Sequence, residues 1–309
     1  LVMIYKQFLI RFFKISIFAL LIELTINMYV DPLNYIRANT KTYFSSERNL
    51  KARLIEDGIF SGLMMGSSKT AHIRPTKINF NKKILNASFS AALPEEIYSF
   101  LVEHNPEVEW IAIGLEWYMF HESRFPYKEN VKFSKNFMDI VRYCLSLDTT
   151  IYSIRTIMKR IGGDSSYSST PNGARNKEKK EAIDRNNSEY KYSETLDRVS
   201  FRFDDYKISS RRIFDISKIE DWGKANNIKI VWWISPYNKE ILKLLHSKHN
   251  KEIDNLPIVI KEKVSNFIDL SHKYKTKDKY WKHDPSHYYQ TTGEFFFNKN
   301  ILPIILNKL

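Results

Sequence analysis

The feature that most constrains this chain is an apolar run that breaks into a glycine and two hydroxyl residues: Ser61-Gly62-Leu63-Met64-Met65-Gly66-Ser67-Ser68-Lys69-Thr70. Leu63, Met64 and Met65 read as a buried strand. Gly66 ends it, and Ser67, Ser68 and Thr70 favour the start of a helix. A strand that passes through a tight turn into a helix holds one hydroxyl at the C-terminal edge of a sheet, beside free backbone N–H groups. A hydroxyl so placed can act as a nucleophile. The same residues can also serve as a plain helix cap.

Strands and helices alternate along the rest of the chain. Strands are expected over 59–65, 83–87, 108–115, 228–234 and 267–271. Helices are expected after Ser68 as far as Pro75, from Pro94-Glu95-Glu96-Ile97 onward, over 213–225, over 239–246 and over 292–307, where Pro303 would kink the last one. This alternation implies parallel βαβ units. Ligands of such sheets bind beyond the carboxyl ends of the strands, so Ser68, Glu116 and Trp117 are expected on one rim.

Near the other end stands Lys282-His283-Asp284-Pro285-Ser286-His287-Tyr288. On one turn of helix or a tight loop, the three-residue spacing points Asp284 and His287 the same way. The aspartate can then hold the imidazole in one tautomer while the other ring nitrogen takes a proton from a serine. No ligand spacing of His, Cys and carboxylates suggests a metal site, His272 being far off in sequence, and no cofactor is called for.

Together the two stretches resemble the SGNH/GDSL hydrolase superfamily, in which the nucleophile is third in Gly-Asp-Ser and a late Asp-x-x-His completes the triad. Gly66-Ser67-Ser68 matches with Ser for Asp, which carries the nucleophile over to Ser68, with Ser67 as its rival. Within that superfamily the chain looks most like the membrane-anchored, DltD-like and alginate-acetylation-like proteins that modify surface polymers. The resemblance implies a three-layer α/β/α, flavodoxin-like domain with a parallel sheet, preceded by one transmembrane helix. It implies catalysis by Ser68, His287 and Asp284, and a substrate and oxyanion site at Ser67, Ser68, Ala91, Glu116 and Trp117. Two departures stand out. Gly114-Leu115-Glu116-Trp117 lies where the family has Gly-x-Asn-Asp, and a carboxylate cannot donate to an oxyanion. The family's second-block glycine has no clear match in the stretch from Asn86 to Ala92.

Residues 8–30 are mostly apolar, interrupted by Arg11, Lys14, Glu23 and Asn27. With Lys6, the two cations sit at the N-terminal side, which predicts a cytoplasmic N-terminus and an exported body. No small-residue cleavage site follows, so residues 1–30 read as an uncleaved, single-pass anchor in the cell membrane. Residues 31–57 are expected to be a juxtamembrane connector, and 58–309 the α/β domain with a helical insertion and mobile loop at about 124–210. In the insertion Phe137, Ile140, Val141, Cys144, Leu145, Ile151, Ile154 and Ile157 recur at helical spacing. The only cysteine, Cys144, belongs to that pattern and reads as a packed residue. Residues 162–187 carry almost no large apolar side chain and are expected to form the mobile loop.

A formal net charge of +13 on an exported body favours anionic wall polymers or lipid headgroups. Nucleic acid is a poor partner, because the anchor puts the body on the wrong side of the membrane. Trp117, Tyr118, Tyr237, Trp281, Tyr288 and Tyr289 are candidates for a sugar platform at the rim. The function expected is a serine acyltransferase or esterase acting on a cell-surface glycan or polymer, with a membrane-bound acyltransferase as partner. From a different class, the alternative is a non-catalytic assembly protein that holds an anionic polymer or that same partner.

Overall fold

The structure, a computed structural model, describes residues 2–44, 46–129, 131–176 and 189–307. Its centre is a sheet of β1 (Gly62–Gly66), β2 (Ile84–Asn86), β3 (Trp110–Leu115), β4 (Lys229–Ile234) and β5 (Phe267–Asp269). Every neighbouring pair is parallel, in the order β2-β1-β3-β4-β5. The first strand begins at Gly62 rather than Ile59, whose side chain is 90% exposed. A short antiparallel pair, β6 (Tyr280–Trp281) and β7 (Asp284–Tyr288), follows the sheet in sequence.

The helices are α1 (Val2–Val30), α2 (Glu47–Asp57), α3 (Ser68–Ala71), α4 (Pro94–His104), α5 (Phe137–Cys144) and α6 (Leu147–Ile161). They continue as α7 (Glu189–Arg202), α8 (Ser210–Ala225), α9 (Lys239–Lys261), α10 (Gln290–Phe296) and α11 (Leu302–Leu306). Alternate residues of each strand enter opposite cores, as the two-residue repeat of a pleated strand requires. Leu63, Met65, Ile111, Ile113 and Trp232 meet Phe100, Ile216 and Leu245 on one side. Met64, Ala112, Val231 and Trp233 meet Phe296, Phe297 and Ile305 on the other. A parallel sheet with helices on both faces is compatible with the three-layer α/β/α arrangement. The last helix is split by a π-helical turn over Phe297–Ile301, just before Pro303.

The chain turns outward from β1 to β2, then crosses back to β3. The reversal leaves a crevice at the carboxyl ends of β1 and β3. Register places Gly66 beside Gly114 there. Gly66 has φ +140°, and a Cβ on it would lie 2.6 Å from the Gly114 carbonyl oxygen. Only glycine fits that turn.

The N-terminal segment is helical, as expected. No helix among the described residues is long and apolar enough to cross a membrane. Two of the polar residues that interrupt its apolar run, Glu23 and Asn27, are contacts with the body. The Thr150 hydroxyl donates to Glu23 Oε1 at 2.6 Å, and Asn27 Nδ2 donates to the Cys144 carbonyl at 2.7 Å. The segment expected as a connector is folded too. The Asp31 carboxylate accepts the N–H groups of Tyr35, Ile36 and Arg37, and α2 packs on α4.

Residues 162–176 differ from the loop expected of them; residues 177–187 of that loop lie outside the described residues. Ala174 is fully buried, and Ser169 pairs with Arg175 in an isolated bridge. What docks this stretch is backbone and charge, which a search for large apolar residues passes over. Lys51 Nζ donates to the Gly173 and Asn86 carbonyls, and Arg175 forms an ion pair with Glu47. Burial alone would raise the Glu47 carboxyl. The hydrogen bonds and charge of Arg175, the charge of Lys51 and the Ser90 N–H outweigh it and bring Glu47 down from 4.5 to about 2. The folded value lies below the unfolded one, so the stabilisation is complete above about 4.5 and is lost as pH falls through about 2. Hydrogen exchange at Gly173 and Arg175 should therefore accelerate between pH 5 and pH 3, relative to the strands, after correction for intrinsic rates. Equal protection at both would show that the ion pair does not hold the segment.

Candidate active site

Ser68 is the first residue of α3, directly beyond Gly66 at the end of β1. Ser67 caps that helix: its hydroxyl accepts the Lys69 N–H at 3.2 Å, and its side chain is fully buried. Capping and burial occupy Ser67. Ser68 Oγ instead lies 2.9 Å from His287 Nε2.

Asp284 and His287 sit on β7, not on a helical turn. They meet because Asp284 folds back on its own backbone, Oδ1 accepting the Ser286 N–H at 2.9 Å. Its Oδ2 is 2.6 Å from His287 Nδ1. Burial pushes the Asp284 carboxyl up, but the charge and hydrogen bond of His287 and the bonds from Ser286 hold it well below the usual carboxylate range. An ionised Asp284 can only accept, so Nδ1 carries the hydrogen, and in the neutral imidazole Nε2 is then the acceptor for the Ser68 hydroxyl.

The ring of His287 is held between two others. Trp281 stacks on it at 5.3 Å between centroids and 29° between planes, and His72 lies tilted against it at 5.0 Å and 41°. Trp281 is 2% exposed. It belongs beneath the histidine, and it is not a sugar platform. Trp117 and Tyr288 are also fully buried, and Tyr237 is 4% exposed, so the expected aromatic rim does not form from them. Trp117 stacks on Tyr237 at 4.2 Å and donates its backbone N–H to the Tyr237 hydroxyl. It supports the site from behind.

Ser68 and His287 open on a cavity of about 130 Å³ that is walled by Tyr118, Phe125, Val199, Phe203, Tyr237 and Ile241 and bordered by Ala91, Lys69 and Glu116. Ala91 has φ +50°. That left-handed conformation favours glycine, so Ala91 occupies a position of the kind the second-block glycine would fill.

Glu116 is 7% exposed, and Lys69 is 2% exposed. Lys69 Nζ is 3.3 Å from Glu116 Oε2, donates to the Pro236 carbonyl and lies 3.4 Å over the Tyr237 ring. Burial lowers the Lys69 ammonium from its usual value, while the carboxylates of Glu116 and Asp284 pull it back up. Sequence reasoning singled out Glu116 and passed over Lys69. A lysine directly after Ser68 was the available signal.

Cys144 is buried with its thiol pushed up by burial and by Asp31, which suits a packed residue. His272 comes together with His246 and Asp254, their ligand atoms within 4.8 Å of one another and His246 Nδ1 3.6 Å from Asp254 Oδ1. These three are the residues that could hold a divalent cation; the Ser68 cavity has no such grouping among the described residues.

No protein-family model matches this chain, and no curated protein sequence matches it.

Proposed function

We propose that this chain is a serine acyltransferase or esterase of the SGNH/GDSL hydrolase type, acting on ester or thioester carbonyls. The observation that carries the proposal is the hydrogen-bonded line from Ser68 through His287 to Asp284, ending in a cavity. His287 Nε2 takes the Ser68 hydroxyl proton as Oγ bonds to the carbonyl carbon, and the π pair moves onto oxygen. Asp284 keeps Nδ1 protonated and stabilises the imidazolium. When the carbonyl re-forms, the bond to the leaving oxygen or sulfur breaks and His287 gives that atom the proton. A hydroxyl of the acceptor, or water, then attacks the acyl-serine by the same route in reverse.

The oxyanion is assigned to the backbone N–H groups of Ser68 and Ala91. Glu116 stands where the family places an asparagine, and the Lys69 ammonium cancels the charge that would otherwise oppose the oxyanion. The resemblance to surface-polymer acyltransferases and the net charge of +13 support a cell-envelope polysaccharide or other anionic polymer as acceptor. They also support a membrane-bound acyltransferase as the source of the acyl group.

A space of this size matches one that admits benzene, about 150 Å³, so the acyl group is short. Acetyl and butyryl nitrophenyl esters should be turned over with kcat/KM at least about tenfold above the octanoyl ester, and Ser68→Ala should turn over none. Turnover by Ser68→Ala equal to wild type would refute the proposal.

A further inference from the structure

Helix α6 is inside out for a helix in water. Leu147, Ile151, Ile154, Met158 and Ile161 follow one another at steps of four and three, which places them on one face. Their side chains are 77%, 47%, 50%, 67% and 82% exposed. Thr149, Ser153 and Thr156 occupy the opposite face and are buried. A water-facing helix buries its apolar stripe and exposes its hydroxyls. In α6 the assignment is reversed.

Helix α1 packs on α6 and α5; Leu9, Ser16, Glu23 and Leu24 are half-buried on it and Asn27 and Val30 buried, with Glu23 and Asn27 tied through Thr150 to α6. Phe8, Phe12, Ile15, Phe18 and Leu21 face outward, each more than half exposed. At the start of α5, Phe137 and Met138 continue the same exposure. Small and hydroxyl residues between helices, with apolar residues outside, is the arrangement of helices packed in lipid. An apolar surface of this extent marks an interaction site.

We infer that α1, α5 and α6 form a platform that seats the protein in one leaflet of an anionic lipid bilayer. Charge selects the lipid. Lys6, Arg11, Lys14, Arg142, Arg155 and Arg160 are exposed on these helices, against the exposed Asp148 and the half-buried Asp139, and a basic border beside an apolar face binds anionic headgroups. Insertion is through these exposed apolar side chains; no helix among the described residues is long and apolar enough to cross a membrane. The platform does not depend on the chemistry of Ser68.

The test is flotation of the full chain, diluted from detergent, with vesicles of phosphatidylglycerol and phosphatidylethanolamine or of phosphatidylcholine alone. Wild type should float with the anionic vesicles and bind them about tenfold or more above the neutral ones. The combined variant Ile151→Asp, Ile154→Asp, Met158→Asp should lose about tenfold or more of that binding with its melting temperature kept, since all three side chains are exposed. Arg155→Glu with Arg160→Glu should erase the preference for anionic vesicles. Wild type that stays down with both vesicles would overturn the inference. So would a triple variant that floats like wild type, which would leave α1 as the sole anchor. A vesicle-free dimer dissolved by the triple variant, without flotation of wild type, would assign the face to a second copy of this chain instead.

Discussion

His287→Ala is expected to lower ester turnover by about 10⁴-fold or more, because a triad whose base is removed retains little beyond binding and oxyanion contacts. The same substitution should cost only about 1–2 kcal/mol of stability, since the side chain is 21% exposed and makes its strongest contacts to Ser68 and Asp284. Asp284→Asn should cost a similar factor, about 10⁴-fold, by a different route: the amide can donate to Nδ1 and turn the imidazole into the wrong tautomer. Comparing kcat and melting temperature for both variants separates loss of chemistry from loss of fold. Turnover within tenfold of wild type in His287→Ala would mean that the hydrogen-bonded line is not the catalytic machinery.

The second large effect concerns stability. Lys69→Met removes the cation beside a carboxylate that is only 7% exposed. Breaking one side of a buried ion pair costs about 3–5 kcal/mol, and for a chain of this size that lowers the melting temperature by about 5–8 °C. Glu116→Gln combined with Lys69→Met should recover most of the loss, because neither charge is then left unpaired in the interior. A double-mutant cycle read from denaturant midpoints gives the coupling directly. Additive effects of the two changes would show that Lys69 and Glu116 are not a pair.

What could be read from the chain alone follows from which forces are local. Gly66 and Ser68 declare a turn and a cap by their own conformational preferences. Asp284 and His287 lie three residues apart, so their partnership is visible without knowing the fold. Lys69 and Glu116 are 47 positions apart, and only the parallel register of β1 with β3 brings them together. That register was implied by the alternation of strands and helices, but the pairing of individual side chains was not.

Trp117 and Trp281 were misplaced for a related reason. A tryptophan in a loop beyond a strand has the same sequence signature whether its ring lines a cavity or packs behind it. The neighbours that decide the matter, Tyr237 for one and His72 and His287 for the other, come from distant segments. The stripe of α6 teaches the same lesson in reverse. Its spacing reads as helical, but periodicity says that a face exists and not what covers it. Residues 162–176 were missed because Arg175 and the backbone of Gly173, not large apolar side chains, dock them.

If His287 activates Ser68 as a nucleophile, reacting the full chain with a fluorophosphonate and locating the adduct by peptide mass spectrometry should give one adduct, on Ser68. It should be absent from Ser68→Ala and strongly slowed in His287→Ala. No adduct on the folded wild-type chain, or an adduct on Ser67 or elsewhere that persists in Ser68→Ala, would contradict that activation.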